Sequence, residues 1–285
     1  MELTWLKGIL LAWIRGLTEI FPVSGGAHQA IAQEILGLQT YQQNGRLFEA
    51  FLRLGIFCAV LLFFRRELRV LMLELLRALH LKPRPRRRGP DRLSARMLVL
   101  ILAASLPMLL TIPFSAAVQS LYGNLLAVAA ALVLTGLGLY ICDHLPHGNK
   151  DGKNLSLGNA LSLGLCQALS VIPGISRTGA VLSASWALGV DSAFALRFGF
   201  LMWVPALAID CVAQLIRGIR GVSAGLEAFS GKIFFLYLVC GVLAGVAAFT
   251  ALRLLRFLDR KKALGNSAFY CWTAAMVAFI LFLIS

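Results

Sequence analysis

Apolar residues in this chain come in long blocks rather than in strict alternation. The blocks 48–64, 95–117, 123–142, 194–216, 232–252 and 267–284 approach the roughly 20 residues that a helix needs to cross the hydrocarbon of a bilayer. They predict six transmembrane helices, with Pro107 and Pro113 kinking the second. Two further units are built differently. Residues 4–21 are apolar but interrupted, Pro22-Val23-Ser24-Gly25-Gly26-Ala27-His28 breaks them, and a short helix-like run continues to Leu36. Leu157–Val171 is followed by Pro173-Gly174 and then by Ala180–Val190. Each half is too short to span, so each unit is expected to enter the membrane, break and turn back. Irregular backbone at that depth requires burial in protein or a wet cavity to line. An amphipathic helix is expected over 67–80, and polar loops over 145–156 and 217–230.

Composition agrees with this pattern. The chain is 59% hydrophobic over 285 residues, with a mean hydropathy of +0.80, against the 45–50% typical of soluble domains. The formal charge of +14 lies in loops that abut apolar blocks, where it reads as a topology signal and as contact with anionic lipid. Nothing in those loops suggests base readout, so nucleic acid is not an expected partner. Lys7, Arg15 and Glu19 interrupt the first apolar stretch, which argues against a cleavable signal. Cys58, Cys142, Cys166, Cys211, Cys240 and Cys271 form no C-x-x-C pair and read as packing residues.

The densest positive charge lies in a connector over 65–93, centred on Lys82-Pro83-Arg84-Pro85-Arg86-Arg87-Arg88, and in the loop 253–262. Placing both inside makes the first broken unit enter from outside, puts the loop 145–156 inside and makes the second broken unit enter from the cytoplasm. The two charge assignments agree without adjustment. The fold class expected is therefore all-α integral membrane, six transmembrane helices plus two re-entrant helical hairpins, in one domain spanning 1–285. The units also repeat. Gly16-Leu17-Thr18-Glu19-Ile20-Phe21-Pro22-Val23-Ser24 parallels Gln167-Ala168-Leu169-Ser170-Val171-Ile172-Pro173-Gly174-Ile175-Ser176, and Leu52-Arg53-Leu54-Gly55-Ile56-Phe57 parallels Leu196-Arg197-Phe198-Gly199-Phe200-Leu201. This makes inverted repeats of about 1–142 and 157–285, an arrangement that places a polar site where the breaks meet.

Meeting breaks would pool Glu19, Ser24 and His28 with Ser176, Arg177 and Thr178. A guanidinium between two hydroxyls, at a fresh helix N-terminus, is chemistry for a phosphate. Arg177, Ser176, Thr178 and the Gly174–Gly179 backbone are expected to hold phosphate oxygens. Glu19 sits among Leu17, Ile20 and Phe21 and requires a partner. It reads as a general acid/base or cation ligand, or else as half of a structural salt bridge. His28 reads as nucleophile or proton donor, or as a hydrogen-bonded structural residue. Arg15 lies at i−4 from Glu19, and Arg53 at i+4 from Glu49. Each pairs along its helix or faces the pocket. Glu49 and Arg197 are expected near an interface, and Asp210 towards the outer end of its span.

Gly16-Leu17-Thr18-Glu19 with Pro22-Val23-Ser24 and His28, Phe48-Glu49 before Leu54-Gly55, and Pro173-Gly174-Ile175-Ser176-Arg177-Thr178-Gly179-Ala180 resemble the undecaprenyl-pyrophosphate phosphatase family of the bacitracin-resistance type. The resemblance covers nearly the whole chain. It implies paired re-entrant hairpins and residence in the bacterial inner membrane. It also implies removal of the terminal phosphate from the C55 isoprenoid pyrophosphate, which recycles the carrier lipid of cell-wall synthesis. It implies a divalent cation, Mg²⁺ or Ca²⁺, for which Glu19 is the only candidate ligand, with Glu19, His28 and Arg177 as catalytic residues. Membrane lipid, the lipid substrate and a second copy in a homodimer are the expected partners. Three positions depart from the family pattern: Arg15 stands where it has a first Glu or Gln, Gly25 where it commonly has a serine, and Arg53 where it usually has Gln. Two functions follow, a membrane phosphatase on an isoprenoid pyrophosphate, or a non-hydrolytic lipid-phosphate binding protein or transporter on the same fold.

Overall fold

The computed structural model describes residues 3–38, 45–81, 92–145, 148–225 and 230–285. The basic centre of the expected connector, Lys82 to Arg88, lies outside them, as do Pro146 and His147 of the loop 145–156. The described chain is all-α. Helices α1 (Trp5–Ile20) and α2 (Gly25–Ile35) form the first broken unit, followed by α3 (Arg46–Phe63) and α4 (Arg65–Ala78). Next come α5 (Arg92–Ser105), a 3₁₀ stretch (Leu106–Phe114), α6 (Ser115–Leu121) and α7 (Leu125–Asp143). Helices α8 (Leu157–Leu169) and α9 (Arg177–Ala187) form the second broken unit, and α10 (Ser192–Ser223), α11 (Gly231–Arg260) and α12 (Ser267–Ile284) complete the chain. Among the described residues, five helical stretches are long and apolar enough to cross a membrane, or six if α3 and α4, bent by 84° at their junction, count as one.

The outside of the bundle is greasy. Leu110, Leu134, Val242, Met276 and Leu283 are each more than half exposed. Water does not tolerate so continuous an apolar surface, and lipid does. This is a multi-pass membrane protein. Inside, α11 packs on both α1 and α3, with Gly16 of α1 against Ala244 and Ala247 and Gly55 of α3 against Gly241 and Gly245, small residues that let backbones approach closely. Helix α3 also packs on α10, and α7 packs on α12 and α9. Phe48, Leu52, Ile56 and Phe198 fill the main core. A smaller cluster joins Ala27, Ala30 and Ile31 of α2 to Val128 and Leu132 of α7 and Ala278 of α12.

Three boundaries differ from the apolar pattern. The span expected over 95–117 is α-helical only to Ser105, after which the chain tightens to 3₁₀. Pro107 and Pro113 each remove an N–H from the i−4 ladder, and the tighter winding is the local remedy. Helix α11 runs to Arg260 through most of the loop expected over 253–262. Its Leu252 and Leu255 stay buried, while Arg253 and Arg256 lie over Phe249 and Phe63 at 4.9 and 4.2 Å from the ring centres. Charge on one helix face therefore does not end the helix. Helix α10 likewise continues to Ser223, into the polar stretch that begins at Arg217. The cysteines are free thiols.

Candidate functional site

Helix α1 stops because Pro22 disfavours helical geometry at the residue before it, and Phe21 is extended (φ −70°, ψ 155°). The stop strands the last carbonyls of α1 in a low-dielectric setting, where an unpaired acceptor is costly. The second break supplies donors. Thr178 Oγ1 donates to Ile20 O at 2.9 Å and Ser176 Oγ to Phe21 O at 3.5 Å. Ser24 reciprocates, its Oγ accepting from Gly174 N at 3.1 Å while capping α2 through Ala27 N at 3.4 Å. From α7, Thr135 Oγ1 donates to Gly174 O at 2.9 Å and accepts from Ser176 N at 3.1 Å. Gly174 has φ +108°, and a Cβ there would lie 2.4 Å from Ala131 Cβ and 2.6 Å from Val128 O. Only glycine fits. Ser176 caps α9 through Gly179 N at 3.1 Å. The two breaks are therefore latched to each other.

This assigns most of the expected phosphate-binding groups to construction. The N–H groups of Gly174 and Gly179 and the hydroxyls of Ser24, Ser176 and Thr178 are all engaged within the protein. What remains for an anion are the first-turn amides of Arg177 and Thr178, which have no intrahelical acceptor, and the guanidiniums.

Three arginines gather at the latch. Arg177 Nη1 donates to Glu19 Oε1 at 3.1 Å, and Arg15 Nη2 lies 3.2 Å from Glu19 Oε2. Glu19, expected to need a partner, has two. Arg177 also lies over Trp203, 4.3 Å from the ring centre, a contact that fixes the guanidinium plane. Arg53 does not pair with Glu49; it pairs with Asp210 on α10. Glu49, expected near an interface, has a buried Oε1 without a hydrogen-bond partner, within electrostatic reach of Arg15 and Arg53. Arg15 Nε and Nη1, Arg53 Nε and Arg177 Nε are buried and make no hydrogen bond. Beside Arg177 opens a narrow apolar cleft, of about 20 Å³, walled by Val181, Leu182, Leu196, Phe200 and Trp203.

His28 faces elsewhere. Its Nδ1 lies 2.8 Å from Ser24 O, a carbonyl that can only accept. The ring therefore donates from Nδ1 and accepts at Nε2 from Tyr270 O–H at 2.9 Å. It stacks on Tyr270, ring centres 5.4 Å apart. Both nitrogens are engaged away from Glu19 and Arg177.

Trp203, Thr135 and Tyr270 escaped the sequence reading. Thr135 is a lone hydroxyl in an otherwise apolar span, a weak signal because Thr in a helix can bond its own preceding turn. Trp203 and Tyr270 look like ordinary lipid-facing or core aromatics.

A divalent cation fits this donor set poorly. Among the described residues no group of three or more His, Cys, Asp or Glu side chains is placed to hold one. Glu19, the expected ligand, already has a guanidinium on each oxygen. Arg15, Arg53 and Arg177 balance Glu19, Glu49 and Asp210 one for one.

Residues 8–277 match the sequence profile described as bacitracin resistance protein BacA. The chain is 31% identical to the undecaprenyl-diphosphatase of Methanobrevibacter smithii over 96% of each chain. It is 32% identical to that of Syntrophotalea carbinolica over 95% of this chain and 96% of the relative. It is 36% identical to that of a Nocardioides species over 71% and 72%. With nearly every residue from α1 to α12 inside the match, the chain belongs to the bacitracin resistance protein BacA family.

Proposed function

We propose that this protein is an integral-membrane phosphatase that hydrolyses undecaprenyl pyrophosphate to undecaprenyl phosphate and inorganic phosphate. Membership in the BacA family and relatives named undecaprenyl-diphosphatase support the reaction. The observation that carries the site is the Arg15–Glu19–Arg177 bridge across two latched helix breaks, with unused guanidinium nitrogens beside it. A pyrophosphate entering this site competes with Glu19 for Arg177. Phosphate oxygens take the Arg177 and Arg15 donors, and the released carboxylate becomes a base for water. Water oxygen bonds to the terminal phosphorus, its proton passes to Glu19, and the bond from that phosphorus to the bridging oxygen breaks. The electron pair leaves on the lipid monophosphate. The arginines stabilise charge on the transferring group. The first isoprenoid carbons lie towards the narrow apolar cleft beside Trp203, which must widen to admit them. His28 supports α2 through Ser24 and Tyr270. No step requires a metal.

The broken units α1/α2 and α8/α9 are re-entrant hairpins within six spans, and the halves 1–142 and 157–285 are inverted repeats. Helix packing supports this. Helix α1 rests on α11 as α8 rests on α5, while α3 pairs with α10 and α7 with α12, the exchange a two-fold axis in the membrane plane would produce. Positive charge in 65–93 and 253–262 supports a cytoplasmic side for both, and the order of the spans then puts 145–156 on the same side.

The test is phosphate release from a C55 isoprenoid pyrophosphate by detergent-purified protein in EDTA, Mg²⁺ or Ca²⁺, with Arg177→Ala alongside. Release that depends on Arg177 is expected. Lipid binding without release would instead support the non-hydrolytic carrier, the reading favoured by Gly25, where a hydroxyl is absent and its Cβ would crowd Glu19 Oε2 at 2.4 Å.

A further inference from the structure

The 84° bend between α3 and α4 opens a second cleft, of about 230 Å³, that the reaction above does not use. Helix ends build it: Phe63, Phe64 and Glu67 at the bend, Arg197 near the start of α10, and Arg256 and Arg260 in the last turns of α11. Arg256 is stacked, with its guanidinium 4.2 Å from the Phe63 ring centre and 5.4 Å from that of Phe64. Its plane is therefore fixed before any ligand arrives. Arg197, Arg256 and Arg260 are exposed, and among the described residues none of them is in an ion pair.

Two carboxylates face them, Glu67 and Asp259. Asp259 Oδ1 accepts from Ser192 Oγ at 2.5 Å. Three guanidiniums against two carboxylates leave one positive charge, the complement of a phosphodiester monoanion. Beneath the charges lie Leu252 and Leu255, both buried. Charge above an apolar floor suits an amphiphile better than a free ion. Exposed Arg65 and Arg66 precede Glu67 at the bend, and exposed Lys261 and Lys262 follow Arg260; such basic residues gather anionic lipid. Leu196 and Phe200 line both this cleft and the one beside Arg177, so the two are separated by a wall and have different charged groups.

We infer that this cleft is a binding site for a phosphodiester lipid, its phosphate held by Arg197, Arg256 and Arg260 and its first chain carbons against Phe63, Phe64 and Leu252. The test uses delipidated full-length protein in detergent and native mass spectrometry. It is titrated with phosphatidylglycerol, with diacylglycerol of the same chains, and with inorganic phosphate as competitor. Arg256→Gln/Arg260→Gln is compared with Arg253→Gln, an exposed arginine on the same helix that does not line the cleft. All three side chains are exposed, so folding is expected to survive. Phosphatidylglycerol binding should weaken at least fivefold in the double variant and less than twofold in Arg253→Gln, and diacylglycerol should bind the parent at least fivefold more weakly. Phosphate release from the isoprenoid pyrophosphate should stay within twofold in the double variant, which separates this site from that of Arg177. Equal binding of the two lipids, displacement by equimolar inorganic phosphate, unchanged binding in the double variant, or a parallel loss of phosphate release would each overturn the inference.

Discussion

Gly25 begins α2 against the last turn of α1, and the approach is close. A Cβ at this position would lie 2.4 Å from Glu19 Oε2, 2.9 Å from Glu19 Cα and 3.0 Å from Glu19 N. The carboxylate can swing aside, but the two backbone atoms cannot, so any side chain at 25 must widen the break. Gly25→Ser installs the hydroxyl common in the resembling family and is nevertheless expected to destabilise. Overpacking alone costs roughly 1–3 kcal/mol. Here it also pushes Glu19 off Arg15, a guanidinium only 3% exposed, and a buried charge that loses its partner is costly. The upper part of that range applies, about 2–3 kcal/mol. At roughly 2–4 °C per kcal/mol for chains of comparable size, Tm should fall by about 4–12 °C. Tryptophan fluorescence during thermal unfolding in detergent measures this, with phosphate release followed in parallel. Gly25→Ala, which adds the Cβ without the hydroxyl, should fall by the same amount. A Gly25→Ser protein within 1 °C of the parent that releases phosphate faster would sink the argument, because position 25 would then be an open slot for a nucleophile.

Glu19→Gln should lower kcat for phosphate release by roughly 10²–10⁴-fold, as loss of a general base does, and lower KM as well, because the carboxylate no longer competes with phosphate for Arg177. Full turnover in the variant would remove Glu19 from that role. Arg177→Lys keeps the charge but loses the planar fork over Trp203. A KM rise of tenfold or more is expected, and a KM unchanged by the swap would mean that charge alone suffices. Thr178→Val strands the Ile20 carbonyl that Thr178 satisfies at 2.9 Å. It should cost about 1–3 kcal/mol, read as a lower Tm. EDTA should leave phosphate release within twofold, measured against Mg²⁺- and Ca²⁺-supplemented samples; abolition by EDTA would show that the guanidiniums have not taken over the cation's charge.

Much of the bundle was legible because lipid imposes a harsh length rule. The block 267–284 is helix α12 to the residue, and Ser176 caps the helix expected to begin near it. Helix ends beyond the apolar blocks were not legible, since Arg253, Arg256 and Arg260 continue α11 on its exposed face. At the site, the Arg15–Glu19 pair followed from i,i+4 spacing. The pairing of Arg53 with Asp210 could not be read that way, because it joins α3 to α10 across 157 positions of sequence. Glu49 was expected near an interface, whereas its Oε1 is buried, and the partner of Arg53, which spacing left open, is the distant Asp210. The hydroxyls were read as open to a phosphate, and in the fold each has a partner within the protein. Sequence shows that Ser24, Ser176 and Thr178 carry donors and acceptors, and only the fold shows that α1's severed carbonyls consume them.

That consumption bears on how the site works. Two helix breaks inside a membrane expose peptide groups that need partners, and here each break largely satisfies the other. The latch leaves the guanidiniums as the groups not committed to backbone, and Glu19 as the carboxylate they share. On the proposed reading, an arginine at position 15 changes more than charge. A guanidinium cannot lower the pKa of a bound water as a metal does, so the activation of water falls on a carboxylate. That carboxylate is held between two arginines until a phosphate displaces it. In such a site affinity and rate are coupled through one residue. Glu19→Gln removes the base and the competitor for Arg177 together, so kcat and KM should both fall, whereas Arg177→Lys weakens the phosphate grip itself and should raise KM.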